Sequence, residues 1–348
     1  MTLRPQTLDA FIGQSHLKKL IQTSIVASKL RREALDHTLL TGPSGTGKTT
    51  LAFIIANELG KKAHVLNAAG VENFDSVRKI LTSMGEGDIL FIDEIHRLPI
   101  KIEEFLYHPM EDSVVEVEKK ISVMPEPMRI KLNIQLLTSP PERHASIEHS
   151  FRKYSQIKKL TVLQKIPPIT IIGATTKVGD LTKPLRDRFS LSLDFTQYNE
   201  NELDEITRQK ADMLDIGITP DASRSIARRG RGTARIVVNY IRRCRDTADV
   251  WNDSIITLEN VESTLSMLGV DPIGLTKSDL AYLHVLMRDG RPKGIRSLSS
   301  SLNEEIATIE DVIEPYLIQI GFVEKTPQGR MITGKGEKYV KGEEKVTL

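Results

Sequence analysis

The octapeptide GPSGTGKT, residues 42–49, constrains what this chain can fold into more than any other feature. It fits the pattern G-x-x-x-x-G-K-[ST], in which glycines let the backbone wrap around a phosphate and turn successive N–H groups inward. Such a loop sits between a strand and a helix, because the helix start adds its positive end to the anion site. The neighbouring sequence meets that condition: HTLLTG reads as a short buried strand, and KTTLAFIIANELG has helical spacing and a stop at Gly60. The ligand this arrangement suits is a nucleoside triphosphate, with Lys48 on the β- and γ-phosphates and the Thr49 hydroxyl on Mg²⁺. Gly42, Gly45, Gly47 and Thr50 complete the nucleotide-binding set.

A phosphate loop needs an acidic partner, and DILFIDE supplies one. This stretch is continuous in apolar residues up to its acidic end, the pattern of a strand buried on both faces. Asp93 then holds Mg²⁺ through water, and Glu94 orients or deprotonates the attacking water. PITIIGATT is a third strand of the same kind, with threonines where it should emerge. Apolar strands alternating with helical patterns predict an α/β domain with a parallel sheet. Charge building on the γ-phosphate calls for an arginine as well, and two pairs offer themselves: Arg186 and Arg188 in LTKPLRDRFS, Arg231 and Arg235 in RGTARI. Spacing alone does not separate a catalytic finger from a surface ion pair.

From Asn199 to about Leu268 the pattern is helical throughout, and GVDPIGLTKSD closes that stretch with Gly and Pro. Beyond it, three helical segments precede FVEKTPQGRMIT, two strand-like runs around Pro327, Gln328 and Gly329. Helices followed by a β-hairpin predict a winged helix, a duplex-DNA reader. The expected domains are therefore 1–198, 199–270 and 271–348, and 348 residues suffice for each to bury a core. No apolar run approaches the roughly 18 residues of a membrane span, and MTLRPQTLDA lacks the apolar stretch of a secretory signal, so we expect a cytoplasmic protein. The single cysteine, Cys244, excludes a disulfide framework and a thiolate zinc cluster, and reads as a small buried helix residue. The net charge of +2 hides two basic patches, one from Glu118 to Lys165 and one from Arg228 to Arg245, whose ordinary reading is a solvated face.

Taken together, LRPQTLDAFIGQ, LDHTLLTGPSGTGKTTLA, GDILFIDEIHRL, GATT, LTKPLRDRF, RRGRGTARI and IEDVIEPYLIQIGF resemble the RuvB family. The last of these lies in the third domain and is far more specific than the phosphate motifs. The resemblance implies a hexameric AAA+ motor with a P-loop domain, an all-helical lid and a C-terminal winged helix, driving branch migration of Holliday junctions. It makes Lys48 and Thr49 the Walker A pair, and Asp93 and Glu94 the Walker B pair. Thr175 or Thr176 would be the sensor of the γ-phosphate, Arg188 the finger reaching a neighbouring subunit's ATP with Arg186 beside it, and Arg235 the second sensor. Arg4, Pro5 and Ile12 would line the adenine pocket, Arg330 would touch DNA phosphate, and a β-hairpin would dock on the junction-binding protein RuvA.

The chain departs from the family pattern at Ala234, usually proline, and at Gln328, usually arginine. The stretch from about 116 to 168 is longer than its counterpart by roughly 30 residues, against usual loop lengths. We expect a hairpin within VVEVEKKISVMPEPMRIKLNIQLL, turning near Pro125 and Pro127, followed by basic, partly helical sequence. A tolerated surface insertion, a modified docking element and an extra nucleic-acid contact are its three readings. For the whole chain, a clamp-loader-like ATPase and a nucleotide-binding scaffold without useful turnover are the alternatives to the motor.

Overall fold

The computed structural model of the chain describes residues 3–71, 73–123, 125–152, 156–251 and 255–343. They form two units, one of residues 21–41 and 55–193, the other of residues 1–20, 42–54 and 194–348. Helices α1 (Ser15–Arg31) and α2 (Lys48–Leu59) contribute residues to both.

The first unit is organised by a sheet ordered β2-β3-β6-β1-β7. Its strands are β1 (Thr38–Thr41), β2 (Ala63–Asn67), β3 (Ile89–Asp93), β6 (Thr170–Thr175) and β7 (Leu191–Asp194). Every residue of β1 and β6 is buried, as are Ile89 to Ile92 of β3, which is why these strands read as unbroken apolar runs. Pairing is parallel, with Thr41 opposite Thr175, Phe91 opposite Ile172 and Asn67 opposite Asp93. One edge of the sheet therefore gathers the C-terminal ends of β3, β6 and β1, and with them Asp93, Thr175 and Thr41. The phosphate loop begins at the residue after Thr41. Helices α3 (Phe74–Ser83), α4 (Ile100–Glu111) and α7 (Lys183–Asp187) belong to the same unit, with Val77, Leu81, Ile102, Leu106 and Leu185 in its core.

The long segment departs from expectation. Strand β4 (Val114–Val123) pairs antiparallel with β5 (Gln156–Lys165) over ten residue pairs, from Val114 opposite Lys165 to Val123 opposite Gln156. Residues 126–138, expected as the returning strand, are helix α5 (Glu126–Thr138), followed by α6 (His144–Arg152). Met128, Ile130, Leu132, Ile134 and Leu136 alternate with polar residues, which mimics a strand. The residue types favour a helix all the same: Pro127 sits in the first turn, and Met, Arg, Lys, Leu and Gln lose little freedom in a helix. The expected turn at Pro125 and Pro127 is instead a helix start.

The second unit holds a helical subdomain, α8 (Glu200–Met213), α9 (Pro220–Arg228), α10 (Ala234–Trp251) and α11 (Leu258–Met267), with the short parallel pair β8 (Gly217–Ile218) and β9 (Ile255–Ile256). Capping boxes at Asn199/Glu202 and Thr257/Asn260 start α8 and α11 by satisfying amides that have no partner within the helix. Cys244 is fully buried in this core beside Val237, Ile241 and Val261, and burial pushes its thiol up to about 12, the inert core cysteine expected.

The winged helix comprises α12 (Lys277–Asp289), α13 (Ile295–Leu302), a run from α14 (Ile306–Thr308) through a π turn to α15 (Glu314–Gln319), the hairpin β10 (Val323–Thr326) and β11 (Gly329–Ile332), and α16 (Gly334–Val340). Pro327 and Gln328 form the two-residue turn between Thr326 and Gly329. Glu314, with no exposed surface, accepts from Arg330 Nε at 2.8 Å and from the Tyr282 hydroxyl at 2.9 Å, and pairs with Lys325 at 2.8 Å. Burial raises its carboxyl, but the bonds from Arg330, Lys325 and Tyr282 outweigh it and hold the group below the ordinary glutamate range. This contribution is complete above the unfolded pKa of about 4.3 and is lost as pH falls through the lower folded value. Glu314→Ala leaves Arg330 without its buried partner and should destabilise the winged helix by about 3 kcal/mol. Faster hydrogen–deuterium exchange over 314–332 in the full chain would show it, and unchanged exchange would refute it.

The basic patch at 228–245 is not simply a solvated face. Arg231, in the left-handed region at φ 51, pairs with buried Asp279, donates from Nε to the Gly274 carbonyl at 2.6 Å and stacks 4.8 Å from the Tyr316 ring centroid. Arg229 donates to the Asp271 carbonyl at 2.9 Å and pairs with Glu262 at 2.7 Å. Two arginines thus clasp the helical subdomain to the start of the winged helix.

Candidate nucleotide site and family

The loop at 42–47 and the start of α2 lie in the same unit as the helical subdomain. Lys48 is 7% exposed, and its ammonium donates to the carbonyls of Gly42 at 2.7 Å and Pro43 at 2.8 Å, which holds it over the loop. Thr49 and Thr50 follow in the first turn of α2, half-buried. Arg235, at the start of α10, donates from Nη1 to the Ser44 hydroxyl at 3.0 Å. Ala234 begins that helix without interrupting it.

The loop glycines serve the packing around the loop as well as a phosphate. A Cβ on Gly45 would lie 2.5 Å from Thr233 Cγ2, and one on Gly47 would lie 2.9 Å from the Phe11 ring. The hydroxyl of Tyr198 donates to the Thr46 carbonyl at 2.7 Å. Phe11 and Thr233 lie within the quoted stretches LRPQTLDAFIGQ and RGTARI without having been singled out, and Tyr198 lies in no local motif. Of the expected adenine-pocket residues, Pro5 is buried, Ile12 packs on the helical core, and the Arg4 guanidinium sits 5.3 Å from the Phe53 ring centroid. The same N-terminal segment is tied down by Gln209, which donates to the Ala10 carbonyl at 2.7 Å.

At the sheet edge, Glu94 adopts φ 50 and ψ 46, and its amide donates to Asp93 Oδ1 at 3.1 Å. A left-handed residue immediately after a buried strand turns the chain sharply and leaves two adjacent carboxylates at the strand end. His96 joins the group: its Nδ1 is 3.3 Å from Glu94 Oε2 and 2.9 Å from Thr175 Oγ1. Thr175 is buried and also accepts from the Lys177 amide at 2.9 Å, whereas Thr176 is exposed and donates to Glu94 Oε2 at 3.5 Å. Both threonines are thus linked to the Glu94 carboxylate, one directly and one through His96. The sequence showed that histidine only as a letter of DEIH.

Arg186 and Arg188 lie at the end of α7, which Thr182 caps by accepting from the Leu185 amide at 3.4 Å. Arg186 is half-buried. Arg188 donates to the Pro184 carbonyl at 2.7 Å, pairs with Glu111 at 2.9 Å, and stacks 3.9 Å from the Tyr107 ring centroid. Arg330, by contrast, is taken up by Glu314 and by Glu310, the latter at 2.7 Å.

A phosphate loop after one strand, an acid pair at the end of another, threonines ending the strand between them, a helical subdomain with an arginine on the loop, and a terminal winged helix define a AAA+ P-loop nucleotide-binding protein. Family models match in the same order: the Holliday junction DNA helicase RuvB P-loop domain over residues 3–160, the RuvB AAA lid domain over 198–271 and the RuvB C-terminal winged helix domain over 272–341. A Ligilactobacillus salivarius protein named Holliday junction branch migration complex subunit RuvB is 40% identical over 334 residues, covering 95% of this chain and 89% of its own. A Salinibacter ruber protein of the same name is 41% identical over 331 residues, covering 94% and 86%. The solved Thermotoga maritima RuvB, described as a Holliday junction branch migration motor, matches with 37% identity and a TM-score of 0.77 over 97% of this chain and 98% of its own. The chain belongs to the RuvB family.

Proposed function

We propose that the chain is an ATP hydrolase that moves duplex DNA and thereby promotes branch migration of Holliday junctions in recombination and repair. The observation that carries this reading is Arg235 resting on Ser44, which ties the helical subdomain to the loop that would hold the triphosphate. A nucleotide change at the loop then has a direct route into the lid, and through the Arg231 clasp into the winged helix.

In this reading Lys48 and the loop amides bind the β- and γ-phosphates, and Glu94 orients the attacking water. Thr176 contacts the γ-phosphate from its exposed position, with Thr175 acting through His96. Mg²⁺ keeps its waters and takes few protein oxygens, which the Thr49 hydroxyl and, through water, Asp93 would supply. When bound, Mg²⁺ would neutralise charge developing on the phosphate oxygens.

Arg188 would complete a neighbouring subunit's site in a hexameric ring, with Arg186 beside it. Because Glu310 and Glu314 occupy Arg330, its contribution to DNA would come through the N–H groups those carboxylates leave, and with Gln328 in the turn the wing offers few other cations. Binding should accordingly weaken steeply with salt only to the extent that other Lys and Arg residues reach phosphate. The β4–β5 ribbon, carrying α5 and α6, would dock a RuvA-like junction-binding protein. No described helix is long and apolar enough to cross a membrane.

The test is steady-state ATP hydrolysis with no DNA, linear duplex or a synthetic four-way junction. Stimulation by DNA is expected. Turnover indifferent to DNA, yet stimulated by a protein partner, would favour a clamp-loader-like role, and absence of turnover would favour a scaffold.

A further inference from the structure

Helix α4 carries Glu103, Tyr107 and Glu111 at four-residue intervals, so the three lie along one face. That face holds residues 182–188 at three points. Buried Glu103 accepts from the Thr182 hydroxyl at 2.7 Å, and Thr182 is the cap of α7. The Tyr107 hydroxyl is 3.4 Å from the same Thr182 hydroxyl, while its ring lies 3.9 Å beneath the Arg188 guanidinium. Glu111 Oε1 pairs with Arg188 Nη2 at 2.9 Å. The helix is itself anchored from the sheet by His37, whose Nε2 is 3.1 Å from the Met110 carbonyl and whose Nδ1 accepts from the Ile171 amide at 3.0 Å.

We propose that Tyr107 and Glu111 are positioning residues for Arg188, a cradle on α4 that fixes the direction of its guanidinium. The inference rests on reading Arg188 as the arginine that completes a neighbouring nucleotide site. An arginine that acts across an interface gains if its rotamer is fixed before the neighbour arrives, because ordering a long side chain costs entropy. The Tyr107 ring does this without neutralising the charge, since it carries a quadrupole and no net charge. Glu111 is about half exposed, so water screens its pull on the guanidinium. Arg188 Nε is buried with no acceptor, a cost that an ordinary surface ion pair does not carry. The side chain is held for its direction rather than for the strength of the pair.

The test compares Tyr107→Leu, Tyr107→Phe, Glu111→Gln and Arg188→Ala in the full chain, with kcat and KM for ATP, binding of a fluorescent ATP analogue, and turnover after mixing with Lys48→Ala subunits. Tyr107→Leu and Glu111→Gln should each lower kcat by about tenfold and leave KM and analogue binding unchanged, against about a thousandfold for Arg188→Ala. Tyr107→Phe keeps the ring and should recover most of the rate. Mixing with Lys48→Ala subunits, whose own cradle and Arg188 are intact, should restore turnover to Tyr107→Leu. If the cradle variants equal or exceed the wild type while Arg188→Ala is inactive, or if mixing restores turnover to Arg188→Ala but not to Tyr107→Leu, the cradle is overturned and the reading of Arg188 stands. If Arg188→Ala itself turns over at the wild-type rate, that underlying reading is what fails. Should Tyr107→Leu lose its thermal transition, Glu111→Gln, isosteric and half exposed, decides the question alone.

Discussion

Lys48→Ala should abolish ATP turnover, by about 10² to 10³ or more, because it removes the ammonium that faces the charge developing on the transferred phosphate. The loss should appear with and without DNA, and any DNA stimulation should vanish with it. In the folded chain Lys48 also bonds the carbonyls of Gly42 and Pro43, so the thermal transition must be measured alongside. A folded Lys48→Ala protein that hydrolyses ATP at the wild-type rate would remove the site proposed here. A collapse of the fold would show instead that the lysine is needed to shape the loop.

Arg188→Ala should have an effect as large by a different route. An arginine supplied from another subunit accelerates hydrolysis by about 10³ to 10⁵, so the variant alone should be almost inactive while still binding nucleotide. Mixed with Lys48→Ala, it should regain part of the wild-type rate, because on the shared-site reading a mixed assembly would contain interfaces with an intact loop on one side and an intact arginine on the other. No recovery under conditions of subunit exchange would sink the shared-site reading. Recovery that grows with the fraction of mixed interfaces would establish it and fix which face of the subunit meets which.

Much of this was legible in the sequence for one reason: a phosphate loop and a buried strand with an acidic end are local patterns, set by backbone geometry over fewer than ten residues. GPSGTGKT and DILFIDE each carry their structural context with them. What escaped was non-local. The partner of β4 lies beyond two helices, and alternating apolar residues in 128–136 mimicked a strand that helix-favouring residue types overruled. His96, Tyr198 and Phe11 acquire their places only once distant strands and helices meet. Arg229 and Arg231 looked like members of a solvated charge run because one-dimensional sequence cannot show Asp279, Glu262 and the Asp271 carbonyl converging on them. For Arg330 the missing information was again the far end of a pair, Glu310 and Glu314 on a preceding helical run.

The Arg231 clasp has one more consequence. Arg231 and Arg235 are separated by three residues, yet one grips the base of the winged helix and the other rests on the phosphate loop. So short a stretch, closed by buried pairing at one end, leaves little slack between the two contacts. On the motor reading, a turn of the lid when nucleotide changes would be handed to the winged helix through it. In a motor built this way the length of each step is written into the protein's geometry, and a heavier load should slow the cycle before it shortens the step.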